Sequence, residues 1–110
     1  MLKVRYKLWL ENEKGASIGE GGIALLREID DKGSIRAAAR ELGMSYAFAW
    51  SYIRRLEKAL GCKLVVASKG GRLGGRAELT EEARRVIAMF EEAKAAVENA
   101  LRKLASLEST

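Results

Sequence analysis

Gly33-Ser34-Ile35-Arg36-Ala37-Ala38-Ala39-Arg40-Glu41-Leu42-Gly43-Met44-Ser45-Tyr46-Ala47-Phe48-Ala49-Trp50 is the stretch whose reading decides the fold. Ser34 stands where a helix cap belongs, ahead of a helix predicted over 35–42 with three alanines at its centre. Gly43 ends that helix. Ser45 caps the next, which the spacing carries to about Leu60, before Gly61. Its apolar face is Ala49, Ile53, Leu56 and Leu60, with Trp50 at the edge. Leu42-Gly43-Met44-Ser45 leaves only a tight turn between the two helices. Ala39 is small where they cross, and Gly43 supplies the backbone freedom the turn needs. Any pair of antiparallel helices can show these features, so the flanking sequence has to supply the distinction.

Upstream, Ile23, Leu25, Leu26 and Ile29 recur at helical spacing and predict a helix over about 21–32, stopped by Gly33. Leu2 to Leu8 alternates apolar and polar strictly, which predicts an N-terminal strand with one buried face. Glu11 to Ser17 reads as a turn containing Gly15. Downstream, Lys63–Ala67 and Arg76–Leu79 read as two strands around a glycine-rich loop, a hairpin with a basic tip. Thr80 caps a final helix, with Glu81 and Glu82 suited to its positive end. Ala83, Val86, Phe90, Ala93, Val97, Ala100, Leu104 and Leu107 follow at alternating spacings of three and four. That is an a/d pattern over a helix of about 40 Å at about 1.5 Å per residue. One small domain cannot cover it, so its seam is expected to join two copies through Val86, Phe90, Ala93, Val97, Ala100, Leu101 and Leu104. The alternative is a helix packed wholly on its own domain.

At 110 residues, 48% hydrophobic and 32% charged, the composition is that of one globular domain. No apolar run approaches the roughly 20 residues of a membrane span. The N-terminus has no signal-peptide core, so a cytoplasmic location is expected and no membrane partner. Histidine is absent and Cys62 is the single cysteine. Histidine-based catalysis and cysteine- or histidine-rich metal sites are thereby excluded; no metal, no cofactor and no enzymatic activity are expected. Cys62 is read as a structural thiol, with redox sensing as the alternative. The net charge of +5 is unevenly spread. Residues 1–44 carry 8 basic and 7 acidic side chains (net +1), residues 45–76 carry 7 and 1 (net +6), and residues 77–110 carry 5 and 7 (net −2). A central basic block suits a polyanion partner; a solvated basic face is the alternative.

Strand, three helices, two-stranded wing and long helix make a mainly α chain with a small β component, in the order of a winged helix-turn-helix. Gly33-Ser34-Ile35, Ala37-Ala38-Ala39, Leu42-Gly43-Met44-Ser45-Tyr46 and Ala49-Trp50 resemble the N-terminal DNA-binding domain of the molybdate-responsive ModE regulators. Val65, Gly70-Gly71, Gly74-Gly75 and Leu79-Thr80 match the wing of the same domain. Ile53-Arg54-Arg55-Leu56-Glu57-Lys58-Ala59-Leu60-Gly61 is similar to the corresponding stretch of LysR-type regulators. The resemblance covers about residues 20–107. Three departures separate this chain from the family. Ala83 stands where glycine is common, Arg72-Leu73 occupy the wing loop, and Ala47 and Phe48 replace polar side chains. Effector sensing through a molybdate domain is not expected, and no molybdate site is expected in this chain.

The resemblance implies one winged domain over 1–110, with a DNA-binding core over 1–80 and the long helix over 81–108. It implies a homodimeric regulator that places helix 45–60 in the major groove of double-stranded DNA and wing 63–79 on the backbone. Ser34 and Ser45 begin helices that would face phosphate. Ala47, Phe48 and Ser51 lie opposite Ile53 and Leu56 and should face the groove, with Phe48 suited to a thymine methyl. Tyr46 either stacks on sugar or packs on the preceding helix, and Trp50 is expected in the core. Arg54 and Arg55 are expected on DNA, with a surface ion pair as the alternative. Lys69, Arg72 and Arg76 are the wing candidates. Gly70-Gly71-Arg72-Leu73-Gly74-Gly75 lacks the Gly-Lys-Ser/Thr ending of a phosphate loop and sits between strands. An architectural DNA-binding protein and a protein-interaction module on the same fold remain the competing readings.

Overall fold

Local signals set most of the boundaries. A computed structural model describes residues 2–68 and 75–108. It contains β1 (Trp9–Glu11), β2 (Ser17–Gly19), α1 (Glu20–Lys32), α2 (Ile35–Glu41), α3 (Tyr46–Leu60), β3 (Val65–Ser68), β4 (Arg76–Leu79) and α4 (Glu81–Glu108). Ser34 Oγ accepts from the Ala37 amide and Ser45 Oγ from the Phe48 amide, both at 3.0 Å. The turn between α2 and α3 is closed by the Met44 amide on the Ala39 carbonyl, 2.9 Å, with Gly43 at φ +70°. A side chain there would carry the left-handed penalty that glycine escapes.

Buried side chains converge from every element of the winged unit. Ile23, Leu25, Leu26 and Ile29 of α1 meet Ala38 and Ala39 of α2, Ala49 and Ile53 of α3, Leu64, Ala77 and Phe90. α1 lies close to its neighbours at Gly22, where a Cβ would sit 2.7 Å from Ile18 Cγ1 and 3.3 Å from Leu56 Cδ1. β3 and β4 pair antiparallel from Val65↔Leu79 to Ser68↔Arg76. The wing is fastened at its base. Glu57 Oε2 accepts from the Leu64 and Val65 amides at 2.9 and 3.2 Å, and the Ala77 amide donates to the Gly33 carbonyl at 3.0 Å. Thr80 caps α4 by accepting from the Ala83 amide while its hydroxyl donates to the Lys63 carbonyl.

Two expectations are corrected. The N-terminal strand is not Leu2–Leu8 but Trp9–Glu11, paired as Trp9↔Gly19, Leu10↔Ile18 and Glu11↔Ser17. A strand forms where its backbone finds a partner, and Ile18, 2% exposed, fixes that partner in the core. Asn12 closes this hairpin by accepting from the Lys14 and Ala16 amides. Phe90, expected in the seam between copies, is instead fully buried in its own protomer. Half-buried Val86 packs on the same core.

α4 therefore has two parts. Arg84–Asp30, Arg27–Glu91 and Lys94–Glu20 ion pairs fasten its first half to α1. Beyond residue 94 its side chains are half-buried or exposed. The molecule measures 61 × 30 × 21 Å.

Candidate nucleic-acid interface

α3 buries Ala49, Ile53 and Leu56, and a helix turns 100° per residue, so the opposite face is fixed. It carries Ala47, Ser51, Arg54, Arg55 and Lys58, all exposed. Aromatic rings flank this face on both sides. Tyr46 meets Trp50 edge-on, with ring centroids 6.4 Å apart and planes at 88°. The Arg36 guanidinium lies 4.2 Å over the Tyr46 ring, and that of Arg54 5.0 Å over Trp50. A ladder Arg36–Tyr46–Trp50–Arg54 thus runs from α2 along one edge of α3. On the other edge Phe48 lies 6.0 Å from Tyr52, whose ring holds Arg55 at 5.5 Å. Exposed cation–π contacts contribute only about 0.5–1 kcal/mol each, but they restrict flexible arginines to the surface they serve.

Among the described residues, ion pairs engage Arg27, Lys32, Arg84 and Lys94, all on α1 and α4. Arg36, Arg40, Arg54, Arg55, Lys58 and Arg76 enter none, and neither do Arg85, Arg102 and Lys103 of α4. Arg54 and Arg55, for which a surface ion pair was the alternative, instead lie over the Trp50 and Tyr52 rings.

Ser45 is exposed at the start of α3 and Ser34 is half-buried at the start of α2, each with its hydroxyl used as a cap. Tyr46 is 39% and Phe48 43% exposed. Trp50, expected in the core, is half-buried: it packs on the core and also meets Tyr46 and Arg54. Arg76 is exposed at the start of β4, opposite Ser68. Lys69 and Arg72 lie outside the described residues. Sequence reasoning missed three members of this surface. Lys58 was readable, four residues beyond Arg54 on the same helical face. Tyr52 was readable four residues beyond Phe48. Arg36 reaches the site only through the α2–α3 packing, which no local pattern reports.

Burial, and then Glu82 and Glu57, push the Cys62 thiol upward, away from the thiolate that redox sensing needs. Among the described residues, no group of three or more acidic, cysteine or histidine side chains is placed to hold a metal ion. No described helix is long and apolar enough to cross a membrane.

Residues 22–84 match the family described as bacterial regulatory helix-turn-helix protein, lysR family. The chain is 40% identical over 92 residues to the molybdenum-pterin-binding protein MopB of Rhodobacter capsulatus, covering 84% of this chain and 33% of that protein. It is 34% identical over 98 residues to the molybdenum transport protein ModE of Azotobacter vinelandii, covering 89% and 36%. Identity to the DNA-binding transcriptional dual regulator ModE of Escherichia coli K12 is 32% over 90 residues, covering 82% and 31%. The chain thus spans about a third of the length of these relatives. Its fold is shared with ArgP from Mycobacterium tuberculosis, at a TM-score of 0.54 and 23% identity, over 76% of this chain and 29% of that one.

Proposed function

The chain belongs to the bacterial regulatory helix-turn-helix family of the LysR type, and from that premise we propose that it is a sequence-specific regulator of transcription that binds double-stranded DNA as a homodimer. The observation that carries the reading is the set of cations on the outward face of α3, flanked by aromatic rings. Arg54, Arg55 and Lys58, with Arg36 beside them, form no ion pair among the described residues and are placed for phosphate and base edges. α3 enters the major groove. Ala47, Ser51, Arg54, Arg55 and Lys58 face the bases, and the amide-rich start at Ser45 and Tyr46 meets phosphate. α3 carries neither Asn nor Gln. Base discrimination therefore rests on arginine with guanine and on Ala47 or Phe48 with thymine methyls. Ser34, Arg36 and the wing residues Lys69, Arg72 and Arg76 hold flanking backbone. The protein works in the cytoplasm, without a cofactor and without a molybdate site in this chain.

The outward face of α4 joins the copies. Its outward stripe is Met89, Ala93, Ala96, Val97, Ala100 and Leu104, with Met89 60% and Leu104 50% exposed. This stripe is symmetric about the point between Ala96 and Val97: Met89 mirrors Leu104, Ala93 mirrors Ala100, and Ala96 mirrors Val97. Antiparallel helices crossing there bury apolar on apolar, as a two-fold contact requires. Of the expected seam residues, Ala93, Val97, Ala100 and Leu104 fall on this stripe.

In vitro selection from random duplexes at moderate salt tests the function. An enriched palindrome supports the reading. A bound pool without enrichment transfers it to an architectural protein, and an empty pool removes DNA as the partner.

A further inference from the structure

The stretch with the strictest apolar alternation is the one the protomer leaves uncovered. Leu2 is 98% and Val4 64% exposed, and Lys3, Arg5 and Lys7 alternate with them. Residues 2–8 join no strand among the described residues. The segment is nonetheless anchored at a definite place. The Tyr6 hydroxyl donates to Glu98 Oε1 at 2.8 Å, across 92 positions of sequence. Leu8 packs on the core. Glu98 directly follows the Ala96–Val97 midpoint of the α4 stripe, so the segment passes the middle of the uncovered half of that helix.

We propose that residues 2–7 form a second part of the interface between two copies of this chain, laying Leu2 and Val4 over the partner's α4. The inference rests on the homodimer proposed above. Two observations favour a second copy as the occupant. The stripe beside the segment is self-complementary about its midpoint, which is a property of two-fold contacts and not of a contact with an unrelated protein. Five extended residues span about 17 Å, enough to cross a helix about 10–12 Å thick, so a segment anchored at Glu98 reaches the partner helix. One alanine-rich stripe also makes a thin contact beside the roughly 1,200–2,000 Å² of a stable interface. Leu2 and Val4 supply bulk that Ala93, Ala96 and Ala100 lack. Their burial also removes an apolar, strand-like end open to indiscriminate pairing.

Sedimentation equilibrium on the full chain and on the Leu2→Ser/Val4→Ser variant tests this. Neither side chain lies in the core, so the variant should keep the native circular dichroism spectrum. The dimer dissociation constant is expected to rise by about a hundredfold. Hydrogen exchange gives a second readout without mutation: amides of residues 2–7 should slow as concentration carries the chain from monomer to dimer. A native dimer with an unchanged constant in the variant, or with exchange at 2–7 independent of concentration, overturns the role of the segment and leaves the α4 dimer standing. A native chain that stays monomeric overturns both.

Discussion

Replacing Arg55 by alanine, beside Arg84→Ala, asks whether DNA reads the placement of charge or merely its total. Each substitution lowers the net charge from +5 to +4. Arg55 is exposed on the face of α3 opposite Ile53, with its guanidinium 5.5 Å from the Tyr52 ring and no ion pair among the described residues. Arg84 lies on the opposite functional side, 3.2 Å from Asp30 across the α1–α4 contact. A lost phosphate contact reduces the slope of log affinity against log salt by about 0.9. A lost arginine–guanine pair instead costs about 1–3 kcal/mol on the preferred site and little on other sequences. Arg55→Ala is therefore expected to weaken binding by roughly tenfold or more through one of these routes. Arg84→Ala should leave both affinity and slope near native, and should cost at most about 1 kcal/mol of stability, because its ion pair is half-exposed. Fluorescence anisotropy on the selected duplex and on a scrambled one, across a salt series, reads both quantities. Urea unfolding reads the stability. Equal losses of affinity in the two variants would refute the reasoning, since the position of a cation would then have no bearing on DNA.

Two further outcomes follow from the same geometry. With Cys62 changed to Ser, Val97→Cys should oxidise rapidly to a covalent dimer that keeps native helicity, and Leu107→Cys should not. Parallel helices would let both positions cross-link. Cys62 itself, its pKa raised by burial and then by Glu82 and Glu57, should alkylate more slowly at neutral pH than a cysteine in an unfolded peptide. Because the folded state favours the protonated thiol, that contribution is fully present below the unfolded value of about 8.5 and is lost as pH rises beyond it. Unfolding midpoints of the Cys62→Ser variant should decline less over that alkaline range; an identical decline would detach Cys62 from it.

The helices were legible because their ends are local events. Ser34, Ser45 and Thr80 each hold an amide three residues on, and Gly33 and Gly61 turn the chain at φ +67° and +75°. The first sheet was not, because alternation reports which side chains share a face and says nothing of the partner. Leu2–Leu8 alternates better than Trp9–Glu11, yet only the latter lies beside Ile18, which α1 and α3 bury. Along α4 the three-four spacing marked one seam where the structure has two surfaces. A straight helix drifts by about 20° per heptad. That drift is too small to separate the surfaces: Ala83 and Phe90 face the protomer's own core, while Met89, Ala96 and Ala100 lie on a line about 80–120° round the helix. The exposed arginines of α3 were readable as a face, but the Arg36–Tyr46 stack depends on how α2 crosses α3.

These two surfaces of α4 also set how far apart two recognition helices stand. Phe90, the last fully buried side chain of α4 among those described, lies six to seven residues before the Ala96–Val97 midpoint, about 10 Å along the axis. In an antiparallel pair the two Phe90 side chains are then about 20 Å apart, and each winged domain, 21 to 30 Å across, extends outward from there. The domain centres fall between about 20 Å apart, with Phe90 at the centre of each core, and about 50 Å, with Phe90 at its edge, a range that brackets the 34–36 Å of one turn of DNA. Both α3 helices can then enter successive major grooves on one side of a straight duplex. Lengthening the spacer of the selected palindrome by 5 base pairs turns the second half-site to the far side of the DNA, so affinity should drop to that of a single half-site. Indifference to the inserted 5 base pairs would mean that the copies do not bind as a rigid two-fold pair. The antiparallel crossing at Ala96 and Val97 would then be the wrong frame for this protein.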